Sequence, residues 1–138
     1  AATRSEILWF LHADSLPPAE AIELIQKALM APNRHWGRFD VRLSGSQPML
    51  RMVAALMNRR SRLTGIATGD QGIFVRRTLF EHVGGYPPIA LMEDIALSRR
   101  LKRHSPPVCL RQPLTTSRRR VPHHSVDVAV AAGLLFRR

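Results

Sequence analysis

The sequence has little cysteine, little lysine and few aromatic residues, and it contains no long apolar run. A single cysteine, Cys109, stands among 138 residues, which excludes an internal disulfide bond and a zinc cluster built on several cysteines. The stretches richest in apolar residues, Ile7 to Leu11 and Val126 to Phe136, are shorter than the roughly 20 residues that a membrane-spanning helix needs. The hydrophobic fraction of 45% is typical of a globular domain, and we expect a reducing, cytoplasmic setting.

Positive charge dominates the composition, and almost all of it comes from arginine. The formal net charge is +11, and lysine occurs only at Lys27 and Lys102. An excess of this size attracts polyanions such as nucleic acid, anionic lipid or a phosphorylated small molecule. A solvated basic surface accounts for the same composition, so the charge alone does not choose among these partners.

The first motif is an apolar strand followed by polar residues and a predicted helix. Ile7 to Leu11 is an unbroken apolar run, as expected for a strand that is buried on both faces of a parallel sheet. After the polar segment, Leu16-Pro17-Pro18 predicts the start of a helix. Ligands of open α/β sheets bind at the carboxyl ends of strands. Asp14 is therefore a candidate metal or ligand-binding residue, although aspartate at this position also serves as a helix N-cap.

Further segments continue the alternation of strands and helices. The alternating pattern from Trp36 to Leu43 predicts a half-buried strand, and Pro48 begins a helix. Another helix begins at Glu93 and runs to about His104, with Leu97 and Leu101 facing inward. The helix that begins at Pro48 carries an apolar stripe at helical spacing, which we expect to lie in the core. This stripe consists of Met49, Met52, Val53, Leu56 and Met57.

Glu93 and Asp94 form an acidic pair in the first turn of the helix predicted to run to about His104. One interpretation is structural, because acidic side chains in a first turn interact favourably with the helix dipole. The other is chemical, because the pair and Asp14 together supply the groups that a nucleotide-sugar transferase needs. A hard cation with oxygen ligands neutralises a departing diphosphate, and a second carboxylate accepts the proton of the attacking hydroxyl.

Three segments in continuous order resemble motifs of the family 2 glycosyltransferases. They are Phe10 to Pro18, which resembles the family's DxD segment, Thr68 to Arg77 with the following Gly84-Gly85-Tyr86, and Met92 to Leu101, which resembles its Glu-Asp segment. The subgroup that the chain most resembles is labelled arsenosugar-biosynthesis glycosyltransferase, or radical-SAM/selenodomain-associated transferase. Its members show strings similar to Trp36 to Val41 and Arg62 to Ile66.

The resemblance implies an α/β fold of the GT-A type, in which a mixed, Rossmann-like sheet is flanked by helices. This catalytic part covers residues 1–117, and 118–138 form a basic tail that is disordered or a short helix. The implied reaction is a metal-dependent, inverting transfer of a sugar from a nucleotide-sugar donor to an acceptor hydroxyl. On this resemblance Asp14 binds Mn²⁺ or Mg²⁺, Asp94 is the general base and Glu93 shapes the acceptor pocket. The implied donor and acceptor site consists of His12, Gly69, Asp70, Gln71, Arg118 and Arg119.

The chain departs from the family pattern in three places. His12 stands where the DxD pattern has its first aspartate, so direct coordination of the metal depends on Asp14. The segment from Ser117 to Val121 replaces the family's serine-glycine-arginine-arginine-tryptophan motif. The βα units that bind base and ribose in the family precede the DxD segment, and on the order of 60 residues of them are absent here. We therefore expect the 138-residue chain alone to bind donor poorly.

A second functional class is a basic binding module for nucleic acid or for an anionic membrane surface, without catalysis. Arg59-Arg60, Arg99 to Arg103 and Arg118 to Arg120 provide its basic clusters. Aromatic residues make up only 6% and lie mostly inside apolar segments, whereas base-stacking surfaces interleave exposed aromatics with basic residues. Nucleic acid is therefore the weaker candidate. The expected location includes the inner face of the membrane as well as the cytoplasm.

Overall fold

The computed structural model describes residues 7–11, 15–68, 71–85, 93–116 and 129–130. In these residues the chain forms a mixed α/β fold with helices flanking one sheet, which confirms the predicted α/β class with a mixed sheet. In chain order the elements are β1 (Ile7–Leu11), β2 (Ser15–Leu16), α1 (Ala21–Ala28), β3 (Trp36–Leu43), α2 (Pro48–Thr64), β4 (Phe74–Arg76), α3 (Arg77–His82), α4 (Glu93–Lys102), β5 (Val108–Thr116) and β6 (Ala129–Val130). No helix in these ranges is long and apolar enough to cross a bilayer.

The sheet combines parallel and antiparallel pairs. Its strands follow in the order β2-β5-β3-β4-β1, and the two-residue β6 pairs with the end of β1 on the outer side. β3 is parallel to β5, and β4 runs antiparallel to both β1 and β3. Strands β1, β3 and β5 therefore point in one direction. Their carboxyl ends and the amino end of β4 lie at the same edge of the sheet, called the carboxyl edge below.

β1 is buried on both faces, as its apolar run predicted. Ile7 and Trp9 belong to the cluster that contains α1, whereas Leu8 and Phe10 belong to the cluster that contains α4. The expected parallel pairing is wrong, because β4 and β6 are both antiparallel to β1. An apolar run indicates burial on two faces but carries no information about the direction of the neighbouring strands.

The helix predicted at Leu16-Pro17-Pro18 begins later, at Ala21. Ser15 and Leu16 instead pair with the end of β5 as the short strand β2. Ile25 and Leu29 are buried against the sheet. The two prolines are compatible with a first helical turn, but the long-range pairing with β5 keeps the preceding backbone extended.

On the other face of the sheet, α4 packs as its sequence predicted. Leu97 and Leu101 are fully buried with Trp36 and Val75. The Trp36 indole Nε1 donates a hydrogen bond of 2.8 Å to the carbonyl oxygen of Ser105, just beyond the end of α4. Trp36 and Arg38 are both buried, so the first half of β3 is covered on two faces and the prediction of a half-buried strand is wrong there.

α2 contacts the sheet through polar groups. It begins with Pro48 at its first position, and Gly65, with a φ of 74°, ends it in the left-handed conformation that glycine adopts readily. Of the residues of β3, only Trp36 and Gly37 at its beginning pair with β4. The backbone of Val41, further along β3, is therefore available to the side-chain amide of Asn58. The Val41 N–H donates to Asn58 Oδ1 at 2.8 Å, and Asn58 Nδ2 donates to the Val41 carbonyl oxygen at 3.1 Å.

The apolar stripe of α2 faces solvent, so the prediction that it belongs to the core is wrong. Met49, Met52 and Leu56 are exposed by 65%, 56% and 60% respectively, and the buried residues of the helix are Ala54 and Ser61. Helical spacing shows that one face is apolar but does not show which face meets the sheet. The hydrogen bonds of Asn58 determine that orientation.

Candidate functional site

The described ends of the predicted site segments meet at the carboxyl edge. β1 ends there at Leu11, and β5 ends there at Thr116. Ser15, the first residue of β2, pairs with Thr116, whose carbonyl oxygen also accepts the N–H of Ser44 at 3.0 Å. The segments on either side of these paired residues are therefore attached to the same edge. The predicted residues of those segments, His12, Asp14, Arg118 and Arg119, lie outside the described residues.

The loop before β4 reaches the same edge because β4 is antiparallel to its neighbours. The backbone N–H of Phe10 donates to the carbonyl oxygen of Ile73 at 2.9 Å, which joins this loop to β1. Gly72 has a φ of 61°, and a Cβ there would lie 2.8 Å from Leu114 Cδ2 and 3.2 Å from Trp9 Nε1. Only glycine combines that conformation with that close approach. The predicted Gly69 and Asp70 precede this point and lie outside the described residues.

Gln71 is a predicted site residue with a buried and partly unpaired amide. It is 1% exposed, and its Oε1 accepts the backbone N–H of Thr68 at 3.0 Å. Its Nε2 has no hydrogen-bond partner within the described part of the chain, and neither does the nearby Trp9 Nε1. A buried donor without a partner costs about 1–3 kcal/mol, so native structures usually satisfy such groups with water, an ion or a ligand.

α4 positions Asp94 beside the same loop. The Ser98 hydroxyl donates to the carbonyl oxygen of Ala67 at 3.1 Å and accepts the Ala67 N–H at 2.9 Å. Asp94 lies four residues before Ser98, so it occupies the same helix face one turn nearer the helix start. Its Oδ1 accepts the N–H of Ile95 at 2.8 Å. Glu93 is the first residue of α4, but its side chain lies outside what the structure describes.

Sequence reasoning missed two residues of this arrangement. The apolar run predicts only a core role for Trp9, and its ring is indeed buried. The motifs assign no role to Ser98, although a serine next to the buried Leu97 indicates a hydroxyl that needs an internal partner. Its two hydrogen bonds to Ala67 set the position of α4 relative to the loop that leads to Gln71.

The described residues contain no group of three or more histidine, cysteine, aspartate or glutamate side chains that could hold a metal ion. The predicted ligand Asp14 lies outside them. Mg²⁺ in phosphate-binding sites is commonly held by one or two carboxylates together with phosphate oxygens and water. One aspartate beside a bound diphosphate is therefore a suitable donor set, and the metal role of Asp14 stays a prediction.

A separate cleft of about 270 Å³ lies between α2, β3 and β5. Arg42, Arg51 and Arg111 contribute to its lining, and all three are exposed. The pairing of β3 with β5 shifts between Phe39 and Asp40, whose partners are Leu110 and Pro113, so Arg111 and Gln112 are extra residues in β5. Arg111, which lies in this bulge, is therefore one of the residues that line the cleft.

No known protein family, curated protein or solved structure matches this chain. The three sequence segments and the geometry of the carboxyl edge are therefore the features that indicate a function.

Proposed function

We propose that this chain is the catalytic part of a family 2 glycosyltransferase with a GT-A fold, which moves a sugar from a nucleotide-sugar donor to an acceptor hydroxyl. The observation that supports this most is the meeting of the predicted segments at one edge of the sheet. Leu11, Ser15 and Gln71 belong to two of the segments that resemble family motifs, and Thr116 precedes the predicted Arg118 and Arg119. Parts of the chain that are far apart in sequence but predicted to form one site are thus joined to the same edge of the sheet.

The kind of edge also supports the proposal. In open α/β sheets, ligands bind outside the carboxyl ends of the strands, and β1, β3 and β5 all end here. The antiparallel β4 brings the loop before it to the same edge, so residues from both strand ends and strand beginnings can face one ligand. The unpaired amide of Gln71 is a hydrogen-bond donor of the kind that binds sugar or phosphate oxygens.

In the proposed reaction, Asp94 accepts the proton of the acceptor hydroxyl. The acceptor oxygen forms a bond to the anomeric carbon as the bond from that carbon to the diphosphate oxygen breaks, and the nucleoside diphosphate leaves with the bonding electron pair. Attack from the face opposite the leaving group inverts the anomeric carbon. The hydrogen bond from the Ile95 N–H to Oδ1 orients the carboxylate of Asp94, and an ionised carboxylate can accept several hydrogen bonds at once.

The reaction also requires that the negative charge on the leaving diphosphate be neutralised. A divalent cation bound with Asp14 would neutralise part of that charge. Arg118 and Arg119, which follow β5 in the sequence, are the proposed cationic side chains near the diphosphate. Glu93, His12, Gly69 and Asp70 complete the proposed site on the strength of the family resemblance.

Nuclear magnetic resonance with a paramagnetic ion tests this proposal even when binding is weak. The ¹⁵N-labelled chain is titrated with UDP, GDP and dTDP, each with Mg²⁺ and then with traces of Mn²⁺. We expect one nucleotide with Mn²⁺ to broaden the signals of Leu11, Ser15, Gln71 and Thr116 at the carboxyl edge. The signals of His104, beyond the opposite end of α4, should stay sharp.

Variants decide whether the broadening comes from the proposed site. Asp14→Ala should abolish it, whereas Glu81→Gln, an exposed acidic residue on α3, should leave it unchanged. Binding of the same nucleotide should also raise the melting temperature by mass action. Broadening that is absent with all three nucleotides, or that centres on the opposite edge of the sheet, would contradict the proposal.

A further inference from the structure

α2 presents a continuous apolar face to solvent. The exposed side chains recur at helical spacing on the side opposite to Ala54 and Ser61, which face the sheet. A helix of 17 residues is about 25 Å long at its normal rise, and this face extends along most of its length. We call it the α2 apolar face; it consists of Met49, Met52, Val53, Leu56 and Leu63.

Positive charge accompanies this face along the helix. α2 contains four arginines and no acidic residue, and Arg59 and Arg60 are exposed beside the apolar side chains. The cleft along its other side adds two more exposed arginines, from β3 and from the bulge in β5. The one acidic residue of that cleft, Asp40, is already paired with Arg38 and Arg62.

We propose that the α2 apolar face binds the surface of an anionic phospholipid bilayer, with the helix lying parallel to the membrane plane. Exposed methionine, valine and leucine side chains enter the boundary between headgroups and acyl chains, and the neighbouring arginines pair with headgroup phosphates. Snorkelling arginine side chains can reach those phosphates from the borders of an inserted apolar face. This inference is independent of the proposed reaction.

Charge complementarity favours this occupant over a second copy of the chain. A symmetric dimer through α2 would bring the same surface of both copies together and would place Arg59 and Arg60 of one copy close to the same arginines of the other. Like charges that face each other across an interface are unfavourable. A lipid surface offers negative charge and an apolar layer together.

Nucleic acid fits this face less well for a different reason. Phosphates would pair with Arg59 and Arg60 but would leave the five apolar side chains in water. α2 contains no aromatic residue on which a base could stack. Burial of the apolar side chains, which are the unusual feature of this surface, therefore requires a partner with an apolar phase.

Vesicle flotation with the complete 138-residue chain tests the proposal. Vesicles of phosphatidylcholine alone are compared with vesicles of phosphatidylcholine mixed with phosphatidylglycerol. We expect binding to the anionic vesicles that weakens as salt increases. Leu56→Gln should lower the partition coefficient by about tenfold, and Arg59→Ala should lower it by about fivefold.

Matched variants away from α2 serve as controls. Met30 is exposed by 78% at the end of α1, and Met30→Gln should leave binding unchanged while Met52→Gln weakens it. Arg103, exposed beyond the end of α4, is the equivalent control for Arg59. All five substitutions are on the surface, so far-ultraviolet circular dichroism should show the wild-type fold.

Three results would overturn the proposal. The first is an equal distribution between neutral and anionic vesicles. The second is anionic binding that Leu56→Gln and Met52→Gln do not weaken, because the contact would then be charge alone. The third is a concentration-dependent dimer in sedimentation that Leu56→Gln dissociates, because the α2 apolar face would then bind a second copy of the chain.

Discussion

The buried arginine of β3 allows the strongest test of how this fold is stabilised. Arg38 is 0% exposed, and its NH1 donates to Asp40 Oδ1 at 2.6 Å. Its NH2 donates to the Asn58 carbonyl oxygen at 3.4 Å. Asp40 is therefore the partner that neutralises a charge held away from water. Substitution of Asp40 by asparagine keeps the size of the side chain and removes only that charge.

The expected loss of stability in Asp40→Asn is large. Arg38 is buried, so its guanidinium cannot reach water once its negatively charged partner has been removed. Removal of one member of a buried ion pair costs about 3–5 kcal/mol, out of a total stability of about 5–15 kcal/mol for a typical domain. Arg62, the second partner of Asp40, is 26% exposed. Its substitution by alanine should cost only about 0–1 kcal/mol, because exposed ion pairs are screened by water.

Urea unfolding followed by circular dichroism measures both values, provided that the slope with denaturant stays constant among the variants. A double variant, Arg38→Met with Asp40→Leu, should recover most of the loss, because it replaces the buried pair with apolar side chains of similar volume. A cost of Asp40→Asn no larger than that of Arg62→Ala would show that Asp40 does not neutralise a buried charge. A double variant less stable than Asp40→Asn alone would show the same.

Three smaller changes test other parts of the structure. Asn58→Ala should cost about 2–4 kcal/mol in the same urea assay, because it leaves the N–H and carbonyl oxygen of the buried Val41 without partners; a loss below the uncertainty of the measurement would contradict this. Gly72→Ala should cost about 2–4 kcal/mol, since it combines a left-handed conformation with overpacking, and a melting temperature equal to that of the wild type would refute it. Ser98→Ala should speed amide hydrogen exchange at Ala67, whose N–H loses its acceptor; unchanged protection there would show that the hydroxyl does not hold this loop.

The two tryptophans provide one further prediction about the proposed site. The indole N–H of Trp9 has no partner in the described part of the chain, whereas that of Trp36 is bonded to Ser105. A ligand at the carboxyl edge should therefore shift the indole signal of Trp9 and leave that of Trp36 in place. Equal shifts of both signals would indicate a general change of fold, and a shift of Trp36 alone would place the ligand elsewhere.

Local sequence patterns were sufficient for several elements of the fold. The apolar run Ile7–Leu11 became a strand buried on both faces. Pro48 begins α2 as predicted, because proline fits a first helical turn. Leu97 and Leu101, one turn apart, are buried as their spacing predicted. Each of these features has a signal in residues close in sequence, namely an apolar run, a proline in a first helical turn or helical spacing.

The sequence also indicated candidate site residues, but it could not show what supports them. Resemblance to family motifs predicts Asp94 and Gln71 as site residues. The hydroxyl of Ser98 that joins α4 to the loop before Gln71 acts between residues 31 positions apart. Contacts of that kind leave no periodic signal in a single sequence, and so the support of the site emerged only with the fold.

Tertiary structure alone decided the direction of the strands beside β1 and the orientation of α2. An apolar run has the same appearance beside parallel and antiparallel partners, so the sequence could not reveal the antiparallel β4. The spacing of Met49, Met52 and Leu56 determined that α2 has an apolar face. The bonds from Asn58 to Val41 and the pairing of Arg62 with Asp40 turned that face to solvent. A hydrophobic pattern does not show which face of a helix meets the sheet, whereas hydrogen-bond partners on the sheet fix the orientation of the helix.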